Sequence, residues 1–217
     1  MNLCYDCGKP IDPKDEDKEH IPQKCLLDDV PTDQRGSFIT IPAHKTCNNK
    51  YSKIDNALRD IIGLSSDEES KTTDKSIRSL LRQSDEKIFS KVSFEKKEAY
   101  INFNIEDVRN SHIKNFKGIF YREYGQPLPD DFDVNVLTDF NNFEDIQNGI
   151  KLTQRFLEMP NVRESISGSA EVFKARTIAL SPQGNPIEIF NEGILLVISE
   201  LIYHNKMSAL VIARKIV

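Results

Sequence analysis

The stretch from Ile39 to Tyr51 reads ITIPAHKTCNNKY. Its β-branched opening favours an extended chain, and a strand is expected over Ser37–Ile41. From His44 onward the spacing turns helical. Tyr51, Ile54, Leu58, Ile61 and Ile62 form one apolar stripe, which Gly63 ends. At the joint, two residues separate His44 from Cys47, and the chain opens on the same spacing in Cys4-Tyr5-Asp6-Cys7, 36 residues upstream. A disulfide scaffold would spread its cysteines through a short secreted chain. Here all four lie at positions 4, 7, 25 and 47. Three thiolates and an imidazole from Cys4, Cys7, His44 and Cys47 make a soft tetrahedral set suited to structural Zn2+. A redox pair is the competing reading of a lone C-x-x-C. Cys25 has no paired ligand and reads as a core or surface thiol.

Between the knuckles lie a charged loop, Asp12 to Lys18, and a short segment Glu19-His20-Ile21-Pro22 with proline as its stop. A loop from Gln23 to Gly36 follows. The order is knuckle, strand, loop, strand, helix, and residues 1–63 form the first expected unit. Residues 64–217 form the second, opening on a polar linker over 64–75. Helices are expected over Ser76–Val92, over Ile105–Tyr124 closed by Gly125, and over Phe143–Leu157. Strands are expected at Ala99–Asn104, around Val134, Val136 and Leu137, and within Ile166–Leu180 and Ile187–Val217. Turn signals stand at Pro182–Asn185 and His204-Asn205. His112 and His204 lack clustered partners and read as ordinary residues. The expected fold class is α+β.

With 217 residues, 38% apolar and 29% charged, the composition is that of a globular chain. No apolar run reaches the ~18 residues of a membrane span. The opening MNLCYDCGK lacks a basic region followed by an apolar one, so no membrane association and a cytoplasmic location are expected. A net charge of −5 excludes a histone-like binder of nucleic acid. Any such contact must be local, and Lys45, Lys50 and Lys53, with Arg59 beyond them, are the candidates. The first 62 residues carry nine basic and eleven acidic side chains, which predicts weak binding by this chain alone.

Cys4-x-x-Cys7, Glu19-His20-Ile21-x-x-Lys24 and His44-x-x-Cys47-Asn48-Asn49-Lys50 together resemble the HNH nuclease family. The closest likeness is to its bacterial branch with a C-N-N-K-(F/Y)-S motif. The resemblance covers about the first 60 residues. It implies a ββα-metal core braced by a zinc ribbon. Lys114 to Asp130, KNFKGIFYREYGQPLPD, also looks like a stretch found downstream in short bacterial HNH proteins. Two positions depart from the pattern. His44 stands where the family usually has a cysteine, a change tetrahedral zinc accepts. No Asn lies between Glu19 and Asn48, so Asp33, Gln34 or Thr40 would brace the loop.

The resemblance implies a metal-dependent endonuclease acting on DNA. Phosphodiester hydrolysis needs an activated water and a hard cation to stabilise the crowded, charged transition state. Glu19 and the amide of Asn48 would hold Mg2+ or Mn2+; Asn49 is a secondary candidate for the metal and could equally cap the helix or bond the loop. His20, beside Glu19 on the strand, points elsewhere and would be the general base, its ordinary pKa of ~6.5 suiting that task. Small HNH proteins of this look often serve as phage-defence effectors held in check by an ATPase partner, as in Septu-like pairs. The rival expectation is a zinc-ribbon module that binds nucleic acid or protein without catalysis.

Overall fold

In the computed structural model, all residues are described except 1, 53, 65–69, 83–91, 96–97, 102, 139–146, 150, 152–154, 157, 191–192 and 217. The fold is mixed α+β. Strand β1 (Glu16–Ile21) pairs antiparallel with β2 (Ile39–His44), with Glu19 opposite Ile41 and His20 opposite Thr40. Successive side chains of a strand alternate. Glu19 and Ile21 therefore share the buried face with Ile39, Ile41 and Ala43, while His20 lies on the opposite one. β2 begins later and runs further than expected, because a 3-10 turn takes Thr32–Ser37 and the strand continues through Pro42 to His44.

The expected single helical stripe is broken in two. α1 (Lys45–Lys50) closes with Tyr51 N–H on the carbonyls of Asn48 and Asn49, and α2 (Asp55–Leu64) follows. The third helix, α3 (Lys71–Leu81), starts inside what reads as linker and stops well before Val92, which belongs to a strand. The reason is partly non-local. Ser70 caps the backbone N–H of Thr73 at 3.0 Å, and Asp29, from a distant loop, accepts the N–H groups of Lys71 and Thr72 at 2.7 and 3.2 Å. Free N–H groups at a helix start take such partners wherever they come from. α2 and α3 meet so closely that a Cβ on Gly63 would stand 2.4 Å from Ser76 Oγ.

A small hairpin joins β3 (Val92–Glu95) to β4 (Glu98–Ile101). Then comes α4 (Ile105–Tyr124), at the bounds expected. Asn104 caps its start, and Gly125, at φ 70, ends it in the left-handed conformation open to glycine. The remaining chain forms a five-stranded antiparallel sheet in the order β5 (Phe132–Thr138), β9 (Met207–Lys215), β8 (Leu196–Tyr203), β7 (Phe173–Leu180), β6 (Arg163–Ile166). The β8–β9 turn holds His204 and Asn205 at φ 50 and 51, the pairing a tight hairpin requires. Most of the expected helix over Phe143–Leu157, with Ile88 and Phe89 of the earlier one, lies outside the described residues.

α4 is the centre of the molecule. One side packs on the β1–β2 hairpin, where a Cβ on Gly118 would stand 2.3 Å from Ile21 Cδ1. Another side packs on the sheet. Phe116, Ile119 and Phe120 join Ile21, Ile41, Phe173, Val197, Leu201 and Val211 in one apolar cluster running from Cys4 to Ala213. Each such side chain contributes about 1.5–3 kcal/mol by leaving water. Packing thus continues across residue 63. The other sheet face buries Phe156 against Ile178, Leu180, Ile198 and Leu210. No helix of the described residues is long and apolar enough to cross a membrane.

Candidate functional site

The two knuckles converge. The ligand atoms of Cys4, Cys7, His44 and Cys47 all lie within 4.8 Å of one another. Zn–S bonds of ~2.3 Å set tetrahedral ligands slightly closer than that, so small side-chain movements complete a zinc geometry. The first knuckle is held by Cys4 N–H on Lys9 O and Gly8 N–H on Cys4 O, both 2.9 Å. Gly8 at φ 68 makes the turn. The second sits where β2 passes into α1. His44 Nδ1 lies 3.4 Å from Cys7 Sγ, and its Nε2 is 3.1 Å from Pro10 O. A carbonyl can only accept, so the ring proton sits on Nε2 and the Nδ1 lone pair faces the thiols, the outer contact that orients a ligating imidazole.

Cys4 and Cys47 are shifted in opposite directions. Burial would raise Cys4, but backbone hydrogen bonds from Cys7, His44 and Asp6 win and bring it down to about 7. Burial, then the Cys4 charge, pushes Cys47 up to about 12. Crowded thiolates repel, and a divalent cation removes that penalty. The cluster can hold a structural metal such as zinc. Cys25 stands apart, its thiol 3.5 Å from Asp55 O and pushed by burial to about 12.

Glu19 faces inward. Its Oε1 accepts His20 N–H at 3.1 Å and stands 3.0 Å from Lys114 Nζ. The Lys114 side chain is 0% exposed and that of Glu19 5%. Lys114 also bonds both Asp55 oxygens, at 2.7 and 2.8 Å. Burial raises the pKa of Glu19 and of Asp55, and the Lys114 charge opposes it in both. Two carboxylates therefore share one ammonium in the interior. Among the described residues, Glu19 Oε2 is buried without a hydrogen-bond partner, as is the Tyr5 hydroxyl, whose pKa burial and then the Glu19 charge raise. Glu19 Oε2 is thus left, among those residues, to accept from a further donor or cation, against the repulsion of the Lys114 ammonium beside it.

Asn48 lies on α1, and its Nδ2 donates to Asp17 Oδ2 at 2.9 Å. That hydrogen bond is the first cause lowering the pKa of Asp17. Sequence reasoning had no role for Asp17. Its only signal was its place two residues before Glu19, on the same strand face. His20 is half-buried, its ring edge-on to Phe38 at 6.3 Å. Burial lowers its pKa, Lys24 and Lys114 lower it further, and Asp17 works against them. The imidazole is thus neutral near pH 7, as a base must be.

Two of the three expected phosphate-binding lysines are engaged within the protein. Lys45 Nζ donates to Lys14 O at 2.7 Å. Lys50 pairs with the buried Asp6 and lies 4.7 Å over the Tyr51 ring. Lys53 lies outside the described residues. Of the loop candidates, Asp33 and Thr40 are exposed, and Thr40 sits beside His20 across the hairpin. His112 is buried and bonds Tyr203 Oη at 3.2 Å, and Asn115 donates to the same oxygen at 3.0 Å. His204 lies 3.0 Å from Leu26 O. No family model matches the chain, and neither a curated protein nor a solved structure does.

Proposed function

We propose that this chain is a metal-dependent endonuclease of the HNH type, hydrolysing phosphodiester bonds in DNA. Zinc held by Cys4, Cys7, His44 and Cys47 braces the β1–β2–α1 unit. The observation that carries the reading is a neutral, half-buried His20 and an inward Glu19, successive on β1, in a hairpin whose second strand ends at His44 in the Cys/His cluster. Glu19, through its unpartnered Oε2, and Asn48, through its amide oxygen, would hold Mg2+ or Mn2+. When bound, that ion supplies Lewis-acid stabilisation of the developing phosphoryl charge. His20 takes the proton of the attacking water. Asp17 turns the Asn48 amide by accepting its N–H. Lys114 holds Glu19 in place and keeps the buried carboxylates from repelling each other. A phage-defence role with an ATPase partner goes with the same reading.

One observation favours the second reading, a zinc-braced binding module without catalysis: Glu19 is spent on Lys114 and almost wholly buried. The two are separated by incubating plasmid DNA with the protein and Mg2+ or Mn2+, in parallel with His20→Ala. Cleavage by the unaltered protein alone supports the endonuclease. No cleavage, with zinc bound, leaves the module.

A further inference from the structure

α2 and α3 enclose an open groove of about 480 Å³ lined by Asn56, Arg59, Lys75, Arg78, Ser79 and Arg82. Four of the six are cations and none is acidic, in a chain whose net charge is −5. Two of the four cations have a carboxylate of their own: Arg59 holds Asp60 at 2.5 Å and Lys75 holds Asp28 at 2.5 Å. Arg78 on α3 and Arg82, which caps its C-terminus, stand exposed one turn apart. Lys75, Arg78 and Arg82 follow one another at i, i+3 and i+7, one face of the helix. At 1.5 Å per residue that row is about 10 Å long, the length over which one strand of a duplex carries about three phosphates.

The walls are fixed before any ligand arrives. Ser76 Oγ donates to Arg59 O at 3.2 Å and to Thr72 O at 2.9 Å, at the contact where Gly63 lets the helices close. Asp29 ties the start of α3 to the loop after β1. Lys114 ties the start of α2 to α4 and, through Glu19, to the strand bearing His20. Arg59 is further set by Asn56 Oδ1 at 2.8 Å. Arg59 and Lys75 are engaged within the protein as Lys45 and Lys50 are, so the contacting role falls to Arg78 and Arg82.

We propose that this groove is where the chain grips the phosphodiester backbone of duplex DNA, with Arg78 and Arg82 as the contacting cations and Arg59 and Lys75 beside them. The choice of DNA among polyanions rests on the endonuclease reading. The groove itself does not.

The test is fluorescence anisotropy with a labelled DNA duplex of about 20 base pairs and the matching RNA duplex, between about 50 and 200 mM salt. His20→Ala protein is used, so that binding is read without cleavage. Adding Arg78→Ala and Arg82→Ala should weaken DNA binding at least about tenfold. The slope of log K against log salt should fall by about 2, one per lost phosphate contact. Both arginines are exposed, and unchanged zinc content with an unchanged circular dichroism spectrum checks the fold. Unchanged affinity and slope, or no binding before the arginines are replaced, overturns the groove. Tighter binding of RNA overturns DNA as its ligand. If the unaltered protein binds through these arginines yet cuts nothing, the groove stands and the endonuclease reading falls.

Discussion

Lys114 Nζ stands 3.0 Å from Glu19 Oε1, joining the central helix to the strand that carries the candidate base. The same ammonium grips Asp55 at the start of α2. One buried side chain thus sets three elements around the site. A buried charge is tolerated only where its partners replace water, so this arrangement must be completed as a whole.

Removing that ammonium should leave two buried carboxylates without their cation. Lys114→Met is expected to destabilise the fold by about 3–5 kcal/mol in urea unfolding. Glu19 and Asp55 already have raised pKa values, from burial first. A carboxylate that binds its proton more tightly when folded favours the folded state at low pH, and this contribution is lost as pH rises through the raised pKa. In Lys114→Met the raise grows, so acidification from neutral pH towards 5 should restore part of the loss. A variant equally unstable at both pH values would contradict the shared-ammonium account.

Metal analysis should find one zinc per chain, and Cys47→Ser should lower it to near zero. The same variant, or a strong chelator, should destabilise the protein by more than about 4 kcal/mol, because closing the knuckles is coupled to folding. Full stability without metal would remove zinc as the brace.

His20→Ala should cut the cleavage rate by about 10²–10⁴-fold with little change in thermal midpoint, since the ring is only half-buried. Burial, Lys24 and Lys114 lower its pKa, so activity should persist below the ~6.5 of a free imidazole before the acid limb falls. Asp17 raises that pKa, so Asp17→Asn should move the limb to still lower pH. A limb that moves upward would argue against His20 as the base.

His112 gives the opposite pH dependence to Glu19. Burial holds its pKa down at about 3. Between there and ~6.5 the unfolded chain takes a proton that the folded one refuses, so stability declines as pH falls through that window, by about 1.4 kcal/mol per unit. His112→Gln should flatten this slope, read from unfolding free energies at several pH values. A slope unchanged in the variant would assign it to other groups.

The sequence by itself determined what is local and chemical. Two matched knuckles named the four residues that converge, because soft-metal ligation selects residue types that little else requires at that spacing. Gly125 marked the end of α4 to the residue, because that stop lies in the chain it terminates, whereas Asn104, read as the end of a strand, proved to be the cap at its start. Tertiary structure decided where charges find partners. α3 begins at Lys71 because Asp29, far away in sequence, meets its N–H groups. Glu19 turns to Lys114, and Asp6 draws in Lys50, because a buried carboxylate takes the nearest complement whichever segment supplies it, and Asn48 meets Asp17 because the hairpin packs α1 beside β1. α4 gave no clear stripe to read, since the hairpin packs on one side of it and the sheet on another, and a helix covered on several sides has no single apolar face.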